Sequence, residues 1–154
     1  MTEIKENIKG LLQQMMQEQL ESQLKSLIQA KSSIAESKLN ETKSSAGDKY
    51  ETGRAMIQME QDKISSQLDQ LMATKNHLKQ ISSDLKSHIV KVGTLVITDI
   101  GNYYVSVSIG KMIVDDIVYY AISPAAPLSK VLTGKGVGDN VLFRNRCYKI
   151  LDIL

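Results

Sequence analysis

From Glu3 to Lys43 the apolar residues recur with helical spacing. Ile4, Ile8, Leu11 and Met15 stand four, three and four apart, and Leu20, Leu24 and Leu27 resume the rhythm before a weaker continuation at Ile34. Gln and Lys fill the positions between, so the pattern predicts one long amphipathic helix. Gly10 inside it costs roughly 1 kcal/mol against alanine, which a long packed seam absorbs. From Glu51 to Ser87 the pattern is more regular: Ile57, Ile64, Leu71, Leu78 and Leu85 recur every seven residues, with Leu68 at a companion position. That is the repeat of coiled-coil packing. A short polar stretch, Ser44 to Glu51, separates the two segments, so the simplest partner for the second helix is the first, running antiparallel. About 40 residues at about 1.5 Å each make a rod on the order of 55–60 Å long, a form suited to carrying its tip somewhere. Met15, Met16, Met56, Met59 and Met72 are expected to fill the seam between the helices.

After Ile89 the period changes to two. Val90, Val92, Leu95 and Ile97 predict a strand that ends at the turn Asp99-Ile100-Gly101-Asn102. Tyr103–Ile109 and Met112–Ile122, rich in Val, Ile and Tyr, predict two more strands joined by a tight hairpin at Gly110-Lys111. Tyr103, Tyr104, Tyr119 and Tyr120 alternate across the sheet, so one tyrosine of each pair is expected in the core. Pro127 suits the first position of a short helix, Leu128–Leu132, which Gly134 ends. Val141–Phe143 and Cys147–Ile153 read as a closing hairpin. The fold class expected is α+β: an antiparallel helical hairpin over residues 1–87, then a small antiparallel sheet domain with one short helix over 88–154.

Composition supports that division. Six of nine glycines, both prolines, the single Phe and five of six tyrosines lie after His88. Charge adds little: the net is +2, with residues 1–86 carrying 12 charges of each sign and residues 87–154 carrying 7 basic against 5 acidic. This is no nucleic-acid footprint. One cysteine, Cys147, excludes an internal disulfide, and its place in an alternating strand suggests packing. Neither a signal pattern nor a bilayer-length apolar run is visible, so a cytoplasmic protein without a membrane partner is expected. His77 and His88 have no cysteine or carboxylate at metal-ligand spacing, and Gly134-Lys135-Gly136-Val137-Gly138 lacks the full spacing of a phosphate loop.

The chemically distinctive stretch is the connection Ser44-Ser45-Ala46-Gly47-Asp48-Lys49-Tyr50-Glu51, which sets two carboxylates at the tip of the hairpin. Asp48-x-x-Glu51 at a helix start is a capping arrangement. The Asp accepts from a first-turn N–H, the Glu folds back to the cap residue, and both suit the helix dipole.

A second stretch changes the picture. Ala126-Pro127-Leu128-Ser129-Lys130-Val131-Leu132-Thr133-Gly134-Lys135, followed by Val137-Gly138-Asp139, resembles the SPxxxxLxGKxxGD segment of Gre-type transcript cleavage factors. The tip Gly47-Asp48-Lys49-Tyr50-Glu51 resembles that family's Gly-Asp-x-x-Glu, and length and element order match end to end. The resemblance implies an FKBP-like second domain that holds RNA polymerase at the rim of its secondary channel, through candidates Pro127, Lys130, Gly134, Lys135, Gly138 and Asp139. It implies that Asp48 and Glu51 reach the polymerase active centre and help hold a second Mg²⁺ for cleavage of backtracked RNA. Two-metal phosphodiester cleavage asks for such anionic oxygens, and Mg²⁺ keeps several waters, so one or two donated carboxylates suffice. By the same resemblance the protein is no enzyme itself, binds no cofactor alone, acts as a monomer, and meets the nascent RNA 3′ end only indirectly. The family's RNA-touching basic patch does not carry over by position; Lys38, Lys43, Lys49 and Arg54 lie near the tip, and of these Lys43, Lys49 and Arg54 are the RNA-proximal candidates in its place. The chain departs from the family pattern at Thr52-Gly53-Arg54-Ala55, where Asn-x-Glu-Tyr is usual, and at Ala126, where the family has serine. Two alternatives remain beside this reading: a regulator that occupies the polymerase channel without cleavage, and a coiled-coil adaptor unrelated to transcription.

Overall fold

The computed structural model describes the backbone of residues 2–43 and 47–154 and the side chains of residues 7–37 and 53–154. Two long helices, α1 (Thr2–Lys43) and α2 (Gly47–Lys79), precede a six-stranded sheet and one short helix. The chain divides into two compact units, Met1–Gln17 with Asn76–Leu154, and Glu18–Lys75. The α+β class expected from the periodicities is observed.

Within the second unit α1 and α2 run antiparallel: Lys75 Nζ lies 3.8 Å from Glu21 Oε1, and Leu20, Leu24 and Ile64 are buried. The first helix spans the predicted range, but its buried stripe differs from the predicted seam. Ile8, Leu12, Met16, Leu20 and Leu24 are buried at a constant spacing of four, whereas Leu11 is 41% exposed. Four residues turn a helix slightly more than once, so this stripe winds around α1 instead of following one line. Of the methionines expected in the seam only Met16 is fully buried; Met56, Met59 and Met72 lie open to solvent. The second helix ends at Lys79, eight residues before the limit set by its apolar repeat. There Gln80 N–H donates to His77 O and Ile81 N–H to Leu78 O, a tightened last turn, and Ser82 Oγ then takes the N–H of Asp84. Serine side chains that bond neighbouring backbone compete with helix, which a hydrophobic repeat cannot register.

The strands are β1 (Leu95–Thr98), β2 (Asn102–Val105), β3 (Gly110–Val114), β4 (Ile117–Ile122), β5 (Asn140–Phe143) and β6 (Arg146–Ile153), in spatial order β3-β4-β2-β1-β6-β5. All pairings are antiparallel except β2 with β4. The hairpin expected at Gly110-Lys111 is not there. Instead the expected strand 112–122 is split by Asp115-Asp116, whose φ values of 49° and 63° make a two-residue turn of the primed class. Arg144-Asn145 repeats that geometry between β5 and β6. Neither turn contains glycine; Asp enters the left-handed region more readily than most residues but less readily than glycine, and here two like charges stand side by side. Replacing Asp115-Asp116 by Asn-Gly is therefore expected to stabilise the chain by about 1 kcal/mol, or about 2–4 °C in Tm, measured by thermal unfolding. Unchanged or lower Tm would contradict this account of the turn.

The short helix α3 (Pro127–Leu132) covers one face of the sheet, where Val96, Tyr103, Leu132, Val141, Tyr148 and Ile150 form the main core. Tyr103 lies at its centre, stacked on Tyr120 at 5.7 Å and edge-on to Tyr148 at 6.1 Å. Both tyrosines of β2 are buried, against the expected alternation, because β2 lies inside the sheet and both of its faces are covered.

The opposite face meets the base of α1 within the same unit: Ser106 Oγ lies 3.8 Å from Met16 Sδ. Lys9, only 3% exposed, donates from Nζ to Leu85 O at 2.7 Å and Leu154 O at 3.2 Å, and Gln13 Nε2 donates to Ile81 O at 2.7 Å. One helical turn apart, these side chains tie α1 to the segment after α2. Tyr104 is fully buried beneath them, and its hydroxyl makes no hydrogen bond of proper geometry. Burial pushes its phenol up to about 12, and the neighbouring Gln13 amide offsets only part of that. Tyr104→Phe removes a buried hydroxyl without orphaning a partner, so stability in urea is expected to hold or rise by up to about 1 kcal/mol. A clear loss would show that the hydroxyl is satisfied in solution.

Candidate functional site

Two regions carry the residues singled out from the sequence. At the hairpin tip Gly47 opens α2, so Asp48 and Glu51 occupy its first turn, three positions apart. The side chains of Lys43, Asp48, Lys49 and Glu51 lie outside the described residues, as do Ser44, Ser45 and Ala46 altogether. Arg54 is described and exposed. The capping and metal readings of the tip acids therefore stand side by side.

The segment from Pro127 to Asp139 is described throughout, and its geometry separates two kinds of residue. Pro127 is at the start of α3, where its fixed φ favours helix. Ser129, fully buried, donates to Ser123 O at 2.6 Å, and Thr133 donates to Ser129 O at 2.6 Å. Gly134 and Gly138 have φ of 85° and 90°, which glycine adopts without steric cost. Around them Gly134 N–H donates to Val90 O, Gly138 N–H to Ile150 O, and Asp139 Oδ2 accepts from Gly136 N–H at 2.8 Å. Gly134, Gly138 and Asp139 thus build the turn, while the exposed Pro127, Lys130 and Lys135 face solvent and can meet a partner.

The remaining groups are dispersed. His77 and His88 are exposed, and no group of three metal-ligating side chains occurs among the described residues. Cys147 is exposed opposite Leu142 on the β5–β6 hairpin, so its expected packing role is not observed. No described helix is long and apolar enough to cross a membrane. Sequence reasoning missed Lys9 and Gln13, since their spacing marks a helix face without saying that the face is buried.

The fold is therefore that of a helical hairpin joined to a small, mostly antiparallel sheet. Among solved structures the chain is similar to the transcription factor Gfh1, with 19% identity over 89% of this chain and 92% of that chain, at a TM-score of 0.36. Neither a protein-family model nor a curated protein matches the sequence.

Proposed function

We propose that the chain is a Gre-type elongation factor that binds RNA polymerase at its secondary channel and stimulates cleavage of backtracked RNA. What supports the reading is the position of the two motifs that resemble that family. Gly47–Glu51 begins the second of two antiparallel helices, and Pro127–Asp139 forms a turn that presents exposed cations beside α3. In this reading Pro127, Lys130 and Lys135 contact the polymerase, Gly134, Gly138 and Asp139 hold their loop in shape, and the tip is inserted. Carboxylate oxygens are the donors Mg²⁺ prefers, so Asp48 and Glu51 would hold that ion jointly with the polymerase, which supplies the phosphodiester chemistry. Lys43 and Lys49 then lie close to the RNA. The factor itself is no enzyme, and it binds no cofactor on its own.

Backtracked elongation complexes test this directly. Added protein is expected to release short 3′ RNA fragments in a Mg²⁺-dependent manner. Asp48→Asn with Glu51→Gln should abolish release while leaving Tm nearly unchanged, because Asn and Gln keep most capping ability. Full activity in the double variant would sink the metal role. A second reading, occupation of the channel without cleavage, is favoured by the exposed Arg54, a base where the family carries an acid. It predicts polymerase binding and altered elongation with no fragments released. Failure to retain polymerase at moderate salt would end both readings and leave the coiled-coil adaptor.

A further inference from the structure

The sheet ends at β3, whose outer edge has no neighbouring strand. A two-residue turn closes on a hydrogen-bonded pair, here Val114 with Ile117, and bonding alternates along an antiparallel ladder. Ile113, opposite Val118, and Lys111, opposite Tyr120, therefore point their N–H and C=O groups away from β4, where no described residue bonds them. The side chain of Ile113 is 54% exposed, and the exposed Lys111 and Asp115 stand two residues to either side of it. The charge of Asp115 reaches the Tyr119 phenol. Among the described residues, however, neither Asp115 nor Lys111 has an ion pair.

We propose that β3 is the contact strand of a reversible homodimer, in which the same strand of a second copy adds antiparallel to this edge and continues the sheet. The strand is complementary to itself at one register. With the two-fold axis at Ile113, each Ile113 N–H donates to the Ile113 C=O of the other copy, and the two Ile113 side chains cover each other. The same axis sets Lys111 of each copy opposite Asp115 of the other, because both are equally far from Ile113. An edge lysine ordinarily keeps strands apart. Here it meets an acid, so it selects this partner and this register. Parallel strands would oppose like charges. The other free edge, β5, lacks the pattern: its exposed Leu142 is flanked at the same spacing by Asn140 and Arg144, which offer no opposite charges. The five residues of β3 make a strand about 17 Å long. The contact is therefore at the small end of specific interfaces, below about 1,200 Å² in total, and the dimer is weak. The proposal does not rest on the polymerase reading.

Sedimentation equilibrium of the full chain is the test, with circular dichroism as the check on folding. Half of the chain is expected to be dimeric at roughly 0.3 mM, the strength of a contact this small. Ile113→Pro should leave monomer only, up to about 1 mM, because proline is tolerated where the N–H points away from the sheet and removes the donor that the dimer needs. Leu142→Pro makes the same change at the β5 edge and should leave the affinity within about twofold of the parent. Lys111→Gln and Asp115→Asn should each weaken the dimer by about tenfold, since each breaks two equivalent pairs. The double variant should be no more than about twofold weaker than either, because the pair is already lost. Monomer at every concentration would overturn the proposal and leave the edge to a strand of a different protein. So would a dimer indifferent to Ile113→Pro, one abolished by Leu142→Pro instead, or charge variants whose effects simply add. Should Ile113→Pro fail to fold, the charge cycle at the two exposed positions decides alone.

Discussion

Lys9→Ala is expected to destabilise the chain by about 3 kcal/mol, read from the midpoint and slope of urea unfolding. Two losses add. Leu85 O is bonded by the Lys9 ammonium, and a buried carbonyl left without a donor costs about 1–3 kcal/mol. Leu154 O suffers less, because it also accepts from Leu95 N–H at 2.9 Å. The buried stem of the lysine is lost as well, with its packing against the base of the helices. Lys9→Met separates the two, since it keeps the stem and discards the charge. It should cost only about 1–2 kcal/mol, because the unmet carbonyl is partly offset by no longer burying an ammonium. Burial lowers the Lys9 pKa and nearby Asp84 raises it against that trend, so Asp84→Asn should weaken the fold slightly in the same assay. Equal stability of Lys9→Ala and the parent would mean that the link from α1 to Leu85 carries no weight in solution.

Lys9 also shows where sequence reasoning stops. Both long helices were legible because their apolar periodicity is local, and α3 was legible because Pro127 and Gly134 punctuate it. A lysine on an amphipathic helix reads as solvated by default. Its burial follows from Leu85 and Leu154 arriving beside it from 76 and 145 residues away. The β3–β4 turn failed for a related reason: glycine is the usual signal for a tight hairpin, and Asp115-Asp116 lacks it, so Gly110 drew the assignment. At the candidate site the Pro127–Asp139 segment was legible as a motif, yet only the backbone separates Gly138 and Asp139, which form the turn, from Lys130 and Lys135, which are exposed. The exposed Met72 and Ile28 were hidden by composition, because a methionine in a seam and a methionine open to solvent look alike in sequence.

Stability is expected to fall steeply between pH 10 and 12. Burial, first of all, holds the phenols of Tyr103 and Tyr104 up to about 12 from the ordinary 10.0; at Tyr103 the Tyr148 hydroxyl adds to this through charge repulsion and a hydrogen bond. Folded phenols stay protonated where unfolded ones have lost the proton, so the folded state binds more protons throughout that window. Stability is then fully present below pH 10 and is lost as pH rises, by up to about 1.4 kcal/mol per pH unit for each phenol. Tyr119, raised by burial and by Asp115, moves in the same direction. Lys9 works the other way: its lowered pKa makes stability rise with pH until the ordinary 10.5 is reached. Above that point the phenols act unopposed. Together the two phenols remove up to about 5 kcal/mol by pH 12, the lower end of the about 5–15 kcal/mol that domains of ordinary stability hold, so the fold is expected to be marginal there. Circular dichroism and tyrosinate absorbance, followed together, check it: buried phenols should ionise as the fold is lost, after the exposed ones. Tyr103→Phe combined with Tyr104→Phe should flatten the decline, whereas ionisation of all six tyrosines near pH 10 with the fold intact would contradict the burial of β2.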